Sequence, residues 1–219
     1  MRREDRQIRD RAVIRRIMDA CTVCTLALSG EEYPYAVPVN FGSCWEEETI
    51  TLYFHGAPEG TKIERMKRDS RAAFSMAWEG AVTLTAPACG STMRYASVCG
   101  VGRLSLVNDP QEKRRGLAAI MRQYERAGLA PGRTGTAARK DAAEEADAQD
   151  AAERMAVQDT AERTAAQADA DERAAGGTEY DFSAAWGKTA VLRLQVESIT
   201  GKSNVPRDGG AGWPLSSAR

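Results

Sequence analysis

The sequence predicts a mainly β fold (α+β), a small antiparallel barrel with a few peripheral helices, and three observations carry that expectation. Apolar runs are short, and most end in a turn of Gly, Pro or acidic residues. Helical spacing appears at only a few places. No G-x-G-x-x-G follows a strand and no Walker-type phosphate loop occurs, so the helix–strand alternation of dinucleotide-binding folds is absent.

In chain order, residues 7–20 come first and place Ile8, Ala12, Ile14, Ile17 and Met18 on one face among arginines, the pattern of an amphipathic helix. Cys24–Leu28 is a strand, Ser29-Gly30-Glu31-Glu32 a turn, and Tyr33–Phe41 the second arm of a hairpin. Pro34 and Pro38 donate no ladder hydrogen bonds, so this arm is irregular or lies at an edge. After the Glu46-Glu47-Glu48 turn, Thr49–Phe54 is a third strand, and Lys62–Arg68 is a short helix with Ile63 and Met66 inward. Arg71–Trp78, Ala81–Thr85 and Tyr95–Val107 supply further strands. Asn108 or Asp109 caps a helix that has Pro110 in its first turn and runs through Tyr124. The alternating stretch Thr189–Glu197 is the last strand.

Between these parts lies a segment of a different kind, residues 132–178, which has no aromatic residue. It carries six Lys/Arg and eleven Asp/Glu, a net of −5, and since the whole chain is −1 the remainder is +4. Only Met155 and Val157 offer an apolar anchor there, so the expectation is a solvated insertion, helical or disordered. It lacks the a/d heptads of a coiled coil. Residues 1–131 and 179–203 then form one domain, with 204–219 as a flexible tail.

Composition excludes several classes. No apolar run reaches membrane-spanning length, and the N-terminus Met-Arg-Arg-Glu-Asp-Arg-Gln lacks a signal peptide's apolar core, so a cytoplasmic protein with no membrane partner is expected. Positive charge is scattered and the insertion is acidic, which disfavours nucleic acid as a partner. The five cysteines read as free thiols. Cys21-Thr-Val-Cys24 has no second pair for zinc and runs into a strand rather than opening a redox helix, so no metal site is expected.

His55 is the only histidine. It ends the apolar run Ile50–Phe54 and opens into Gly56-Ala57-Pro58-Glu59-Gly60-Thr61-Lys62. It has no metal-ligand companions and no G-x-S-x-G nucleophile elbow accompanies it. What the stretch suits is an anion. Gly60 permits close backbone approach, Thr61 offers a hydroxyl, Lys62 a charge, and the following helix directs its first amides outward. The bland reading is a strand-end histidine bonded to a backbone carbonyl.

Several ordered motifs, Tyr33–Phe41, Leu52–Ala57 with Glu59–Ile63, Met93–Val98 with Gly100-x-Gly102, and Val191–Leu194 through Ile199–Lys202, resemble those of the pyridoxamine 5′-phosphate oxidase-like flavoproteins, in particular the branch with the 5-nitroimidazole-resistance reductases. The resemblance spans about residues 1–130 and 180–203. It implies an FMN-binding split β-barrel of antiparallel Greek-key type, FMN as cofactor, and a homodimer with two flavins at its interface. It also implies roles for particular residues. Gly60, Thr61 and Lys62 would hold the FMN phosphate, and Val39 and Asn40 would lie along the isoalloxazine ring. Phe54 would be among the flavin contacts. His55 would be the catalytic candidate, facing the substrate pocket, while Thr92, Met93, Arg94 and Tyr95 would reach the flavin bound mainly by the other subunit. Where the branch commonly has Cys-Ser-Trp-Ser, this chain has Cys89-Gly90-Ser91-Thr92, so one wall of the pocket lacks its tryptophan. Two functions follow from the resemblance: an FMN-dependent oxidoreductase acting on a small acceptor such as a nitroaromatic, or a non-catalytic flavin- or tetrapyrrole-binding carrier or sensor.

Overall fold

A computed structural model describes residues 6–127, 180, 182 and 186–204 of the chain. Contacts divide the chain into two units, residues 1–128 with 182–219, and residues 129–181. All the described strands and helices belong to the first unit. The expected insertion at 132–178 and the tail from residue 205 onward lie outside the described residues.

Eight strands and three helices make up the described unit: β1 (Gln7–Ile8), α1 (Arg11–Asp19), β2 (Cys24–Leu28), β3 (Tyr35–Val39), β4 (Phe41–Trp45), β5 (Ile50–Gly56), α2 (Thr61–Arg68), β6 (Arg71–Thr83), β7 (Thr92–Leu106), α3 (Pro110–Arg126) and β8 (Ala190–Ser203). Every strand pairing is antiparallel, and the sheet order is β3-β2-β6-β7-β8-β5-β4, with β1 added to β8. The two ends of that order are β3 and β4, and only Asn40 separates them in sequence. The Cα atoms of Val39 and Phe41 are therefore no more than about 7 Å apart. Two edges joined by one residue cannot belong to an open sheet, so the sheet closes into a barrel with its seam at Asn40. β5 returns beside β8, next to the consecutive strands β8, β7 and β6, which is the Greek-key arrangement. The expected mainly β, antiparallel split barrel is the observed fold.

Alternation along each strand fills the interior. Leu26, Phe41, Leu52, Phe54, Phe74, Val98, Leu192 and Leu194 are buried in one cluster, and α1 adds Ile14, Ile17 and Met18 to it. A second cluster lies outside the barrel, where α3 covers Tyr53 and Val191 with Leu117 and Ile120. The fit there is close. A Cβ on Gly42 would stand 2.3 Å from the backbone of Ala119, so only glycine lets α3 seat against β4.

Asp109 caps α3 as expected, and Asp10, placed inside the expected first helix, caps α1. Asp10 accepts from the amides of Ala12 (2.8 Å) and Val13 (3.3 Å). Asp109 accepts from the amide of Glu112 (2.7 Å), with Pro110 at the first helical position. The helix expected from residue 7 starts only at Arg11, because Gln7 and Ile8 pair with Lys202 and Gly201. The single arm expected over Tyr33–Phe41 breaks at Asn40, and Phe41–Trp45 is a separate strand. Local sequence does not distinguish one strand from two strands of a barrel meeting at a corner. β3 pairs with β2 alone, the position its proline permits. β6 runs on to Thr83 past a bulge between Glu79 and Val82, and β8 runs to Ser203 past a bulge against Val101 and Gly102. Each bulge breaks the period-two pattern that bounds a strand in sequence.

Among the described residues no helix is long and apolar enough to cross a membrane, and no group of three or more His, Cys, Asp or Glu could hold a metal ion. Cys21 and Cys24 are buried, and burial is the main cause that pushes each thiol up to about 12. Neither is a thiolate near neutral pH.

Candidate functional site

Barrel register brings the sequence candidates together in two places rather than one. The first is the end of β5. Phe41 pairs with Phe54, so Asn40 and His55 occupy the next position of that ladder. His55 is exposed, on the outer face, and pairs with Val191 on its other side. Asn40 is also exposed, and its side-chain amide donates to the carbonyl of Thr22 at 3.3 Å. Val39 is half-buried and leans on the core. Phe54 departs from expectation. Its ring is fully buried in the barrel interior, because alternation along β5 turns residue 54 inward when residue 55 faces out. Its side chain is core, and only its backbone borders the site.

Beyond β5 the chain turns through residues 57–60 into α2. Gly60 caps that helix with φ 112° and ψ 176°, a conformation open essentially to glycine alone. It contributes no side-chain cap, and its carbonyl accepts from the amides of Ile63 (2.9 Å) and Glu64 (3.1 Å). No backbone acceptor among the described residues takes the amides of Thr61 and Lys62, which face outward at the positive end of the helix dipole. A Cβ on Gly60 would meet nothing within 4 Å, so Gly60 itself faces open space.

Lys62 folds back from the helix toward β5, and its ammonium donates to the carbonyl of His55 at 3.5 Å. Gly56 makes that possible, since a Cβ there would lie 2.8 Å from Lys62 Nζ. Burial lowers the pKa of Lys62. His55 is lowered too, first by burial and then by the charge of Lys62. The corner thus combines two free amides, a hydroxyl from Thr61, a desolvated ammonium and a neutral imidazole. The amides, the hydroxyl and the ammonium donate, while the imidazole can either donate or accept. Such a cradle binds an oxyanion and holds a neutral acid–base group beside it.

The second place is the start of β7. Thr92, Met93, Arg94 and Tyr95 lie where β7 meets the end of β8, with Ala96 paired to Ser203. His55 pairs with β8 at Val191, near the other end of the same strand. Thirteen residues of β8 separate the levels of His55 and Tyr95, roughly 40 Å of strand. One chain does not bring these residues to a common point. Asn204 holds the second group. It accepts from the Tyr95 amide at 2.8 Å, and its side-chain amide donates to the Met93 carbonyl at 2.5 Å and the Thr92 hydroxyl at 3.4 Å. Composition alone puts Asn204 in the tail. Gly56 and Asn204 are the two supporting residues that sequence reasoning misses. A glycine directly after the lone histidine is a signal, whereas nothing local marks Asn204.

A sequence model of the family described as pyridoxamine 5′-phosphate oxidase matches residues 10–155. No curated protein matches the chain. Among solved structures, a candidate 5-nitroimidazole antibiotic resistance protein from Bacteroides thetaiotaomicron is 24% identical and superposes with a TM-score of 0.56, over 90% of this chain and 86% of that one. A flavocytochrome from Azotobacter vinelandii is 16% identical, with a TM-score of 0.57 over 94% of this chain and 72% of the other. An FAD- and heme-binding protein from Mycobacterium smegmatis is 19% identical, with a TM-score of 0.58 over 93% and 77%. At these identities the three structures speak for the fold.

Proposed function

The chain belongs to the pyridoxamine 5′-phosphate oxidase family, and on that premise we propose that it binds FMN and acts as an oxidoreductase toward a small acceptor such as a nitroaromatic. One observation carries the reading: at the start of α2, two amides without a backbone acceptor belong to Thr61 and Lys62, and the half-buried Lys62 ammonium reaches the carbonyl of His55. The donor set suits a phosphate dianion, and Gly60 beside it faces open space. Flavin or heme binding by the solved relatives agrees with this choice of ligand class.

In this reading Gly60, Thr61 and Lys62 hold the phosphate, and Asn40 and the Val39 backbone border the ring. FMN, when bound, supplies the electron and hydride chemistry. The rest falls to the chain. The lowered pKa of His55 keeps its imidazole neutral near neutral pH, so one ring nitrogen donates and the other accepts. From the exposed end of β5 that ring can hydrogen-bond an acceptor's oxygen and hold or deliver a proton.

A second copy of the chain belongs to the proposal. The length of β8 between His55 and Tyr95 is the support, since a flavin seated at α2 meets Thr92–Tyr95 only if they come from a partner. The outer face of β2, β6, β7 and β8 is suited to such a contact. It holds a shallow depression of about 460 Å³ lined by Thr25, Ala27, Ala73, Ser75, Cys99 and Val101, small or apolar side chains largely without charge.

The test is the absorption spectrum of the purified protein, followed by chromatography of the cofactor released on denaturation and by light scattering. FMN in a dimer, reduced anaerobically and reoxidised by a nitroaromatic faster than free FMN, is the expected result. Release of FAD or heme, or a flavin-loaded monomer, would overturn it.

A further inference from the structure

Phe54 is the last residue of β5 that pairs with β4, opposite Phe41. Among the described residues, His55 and Gly56 beyond it have β8 as their one ladder neighbour, through Val191 and Ala190. The carbonyl of Val191 accepts from the Val107 amide at 2.9 Å, on the β7 side. Backbone groups alternate sides along a strand, so those of Ala190 face β5 and Gly56. Those of His55 then face away from β8, where β4 has ended, and Lys62 takes that carbonyl. Gly56 and Ala190 thus form the last rung of their ladder. End rungs open most readily unless the chain beyond them is tied.

The tie lies four residues back from Ala190. Trp186 is half-buried and packs against the cluster that holds Tyr53, Leu117 and Val191. Lys113 of α3 donates to the Trp186 carbonyl at 2.6 Å, and its Nζ stands 4.8 Å from the indole centroid. Arg114, next on the helix, places its guanidinium carbon 5.5 Å from the same centroid. Both distances lie within cation–π range. Backbone and ring of Trp186 are therefore fastened to adjacent residues of one helix. Only a turn over residues 186–188 and Thr189 separate that fastening from Ala190. α3 is itself seated on β5, where the Tyr53 hydroxyl donates to Glu112 at 3.2 Å. The helix rests on the body of β5 and, through Trp186, steadies the strand that holds the end of β5.

We propose that Trp186 is a positioning residue for the corner of His55, Gly56 and Lys62, acting through the first rung of β8. It acts on the corner whatever ligand the corner takes, and its effect on FMN rests on the function proposed above.

Amide hydrogen exchange of the full chain, followed by NMR, tests this without any ligand. Trp186→Ala should speed exchange of the Gly56 amide about tenfold or more and leave the amides of β2 and β6 unchanged. It should also move the imidazole resonances of His55. Trp186→Tyr, which keeps an aromatic face for both cations, should restore both readings. Lys113→Met keeps the indole but removes one cation and the carbonyl's donor, so it should give the same local change if Trp186→Ala does not fold. Unchanged Gly56 exchange in Trp186→Ala or, where that chain does not fold, in Lys113→Met would overturn the proposal. So would acceleration of the β2 and β6 amides by the same factor, which would make Trp186 a stabiliser of the fold alone. Where the corner holds FMN, Trp186→Ala should weaken FMN about three- to tenfold and riboflavin less. An unmodified chain that binds no FMN would defeat the flavin reading, and the exchange rates would still decide the role of Trp186.

Discussion

Lys62 Nζ lies 3.5 Å from the carbonyl oxygen of His55, seven residues back along the chain, across the gap left by Gly56. This turns the ammonium back toward the end of β5, beside the first turn of α2. Lys62→Ala should therefore remove a charge-assisted bond to a bound phosphate, a class worth roughly 1.5–3 kcal/mol. FMN affinity should fall about ten- to hundredfold, and riboflavin, which has no phosphate, should bind as before. Fluorescence titration of the two flavins checks it, and equal losses for both would assign Lys62 to the fold.

His55 is the one histidine in the chain, so its imidazole protons give a single unambiguous NMR titration. Its midpoint should lie below the ordinary 6.5, because burial and then the Lys62 charge disfavour the imidazolium. Lys62→Met should raise the midpoint only partway, since burial is the larger cause. The sign for stability follows. Between the lowered folded value and 6.5 the unfolded chain binds the proton and the folded chain does not, so this contribution to stability falls as the solution is acidified through that window. A midpoint at or above 6.5 in the unmodified protein would contradict the geometry.

The chemistry proposed for His55 has its own measure. His55→Ala should leave flavin content unchanged and slow reoxidation of the reduced protein by nitro acceptors in stopped flow. A general acid–base group contributes about 10²–10⁴-fold where proton transfer limits the rate. Unchanged rates with every acceptor would make the histidine structural.

Gly60→Ala separates sterics from backbone strain. The added methyl would meet nothing within 4 Å, yet φ 112° with ψ 176° excludes an L side chain. A loss of about 1–3 kcal/mol is expected in denaturant unfolding, together with weaker FMN binding as the first turn of α2 shifts. No change in stability would show that the turn relaxes freely.

Gln123 joins the two long helices. From α3 its side-chain amide donates to the carbonyls of Met18 and Cys21, both at 2.8 Å, and Asp19 at 3.3 Å, where α1 ends. Gln123→Leu leaves these carbonyls without their donor. A buried group left unsatisfied costs about 1–3 kcal/mol, so the loss should be about 2–4 kcal/mol by chemical denaturation. Gln123→Glu should also be destabilising, because a carboxylate would face the same carbonyls.

Much of this is legible in sequence because it rests on local rules. Composition and the turn after it bound β2 at Cys24–Leu28, and Asp109 with Pro110 marks the start of α3. Pro38 marks β3 as a strand with one neighbour. What escapes is non-local. Nothing near Asn40 tells that its two flanks belong to opposite ends of a sheet, and bulges in β6 and β8 hide the true strand lengths. The site is half legible for the same reason. Gly60-Thr61-Lys62 is a local pattern, and the structure sets it beside His55. That Phe54 faces inward needs the phase of β5, and that Thr92–Tyr95 lies at the remote end of β8 needs the register.

The seam at Asn40 has a consequence for how this protein resists self-association. A sheet edge offers unpaired amides and carbonyls to any passing strand. Here both edges come from one stretch, residues 35–45, and are joined through Asn40. Cleavage of the peptide there would uncouple two borders at once rather than one. The two borders of the barrel thus share one covalent tie, the peptide through Asn40.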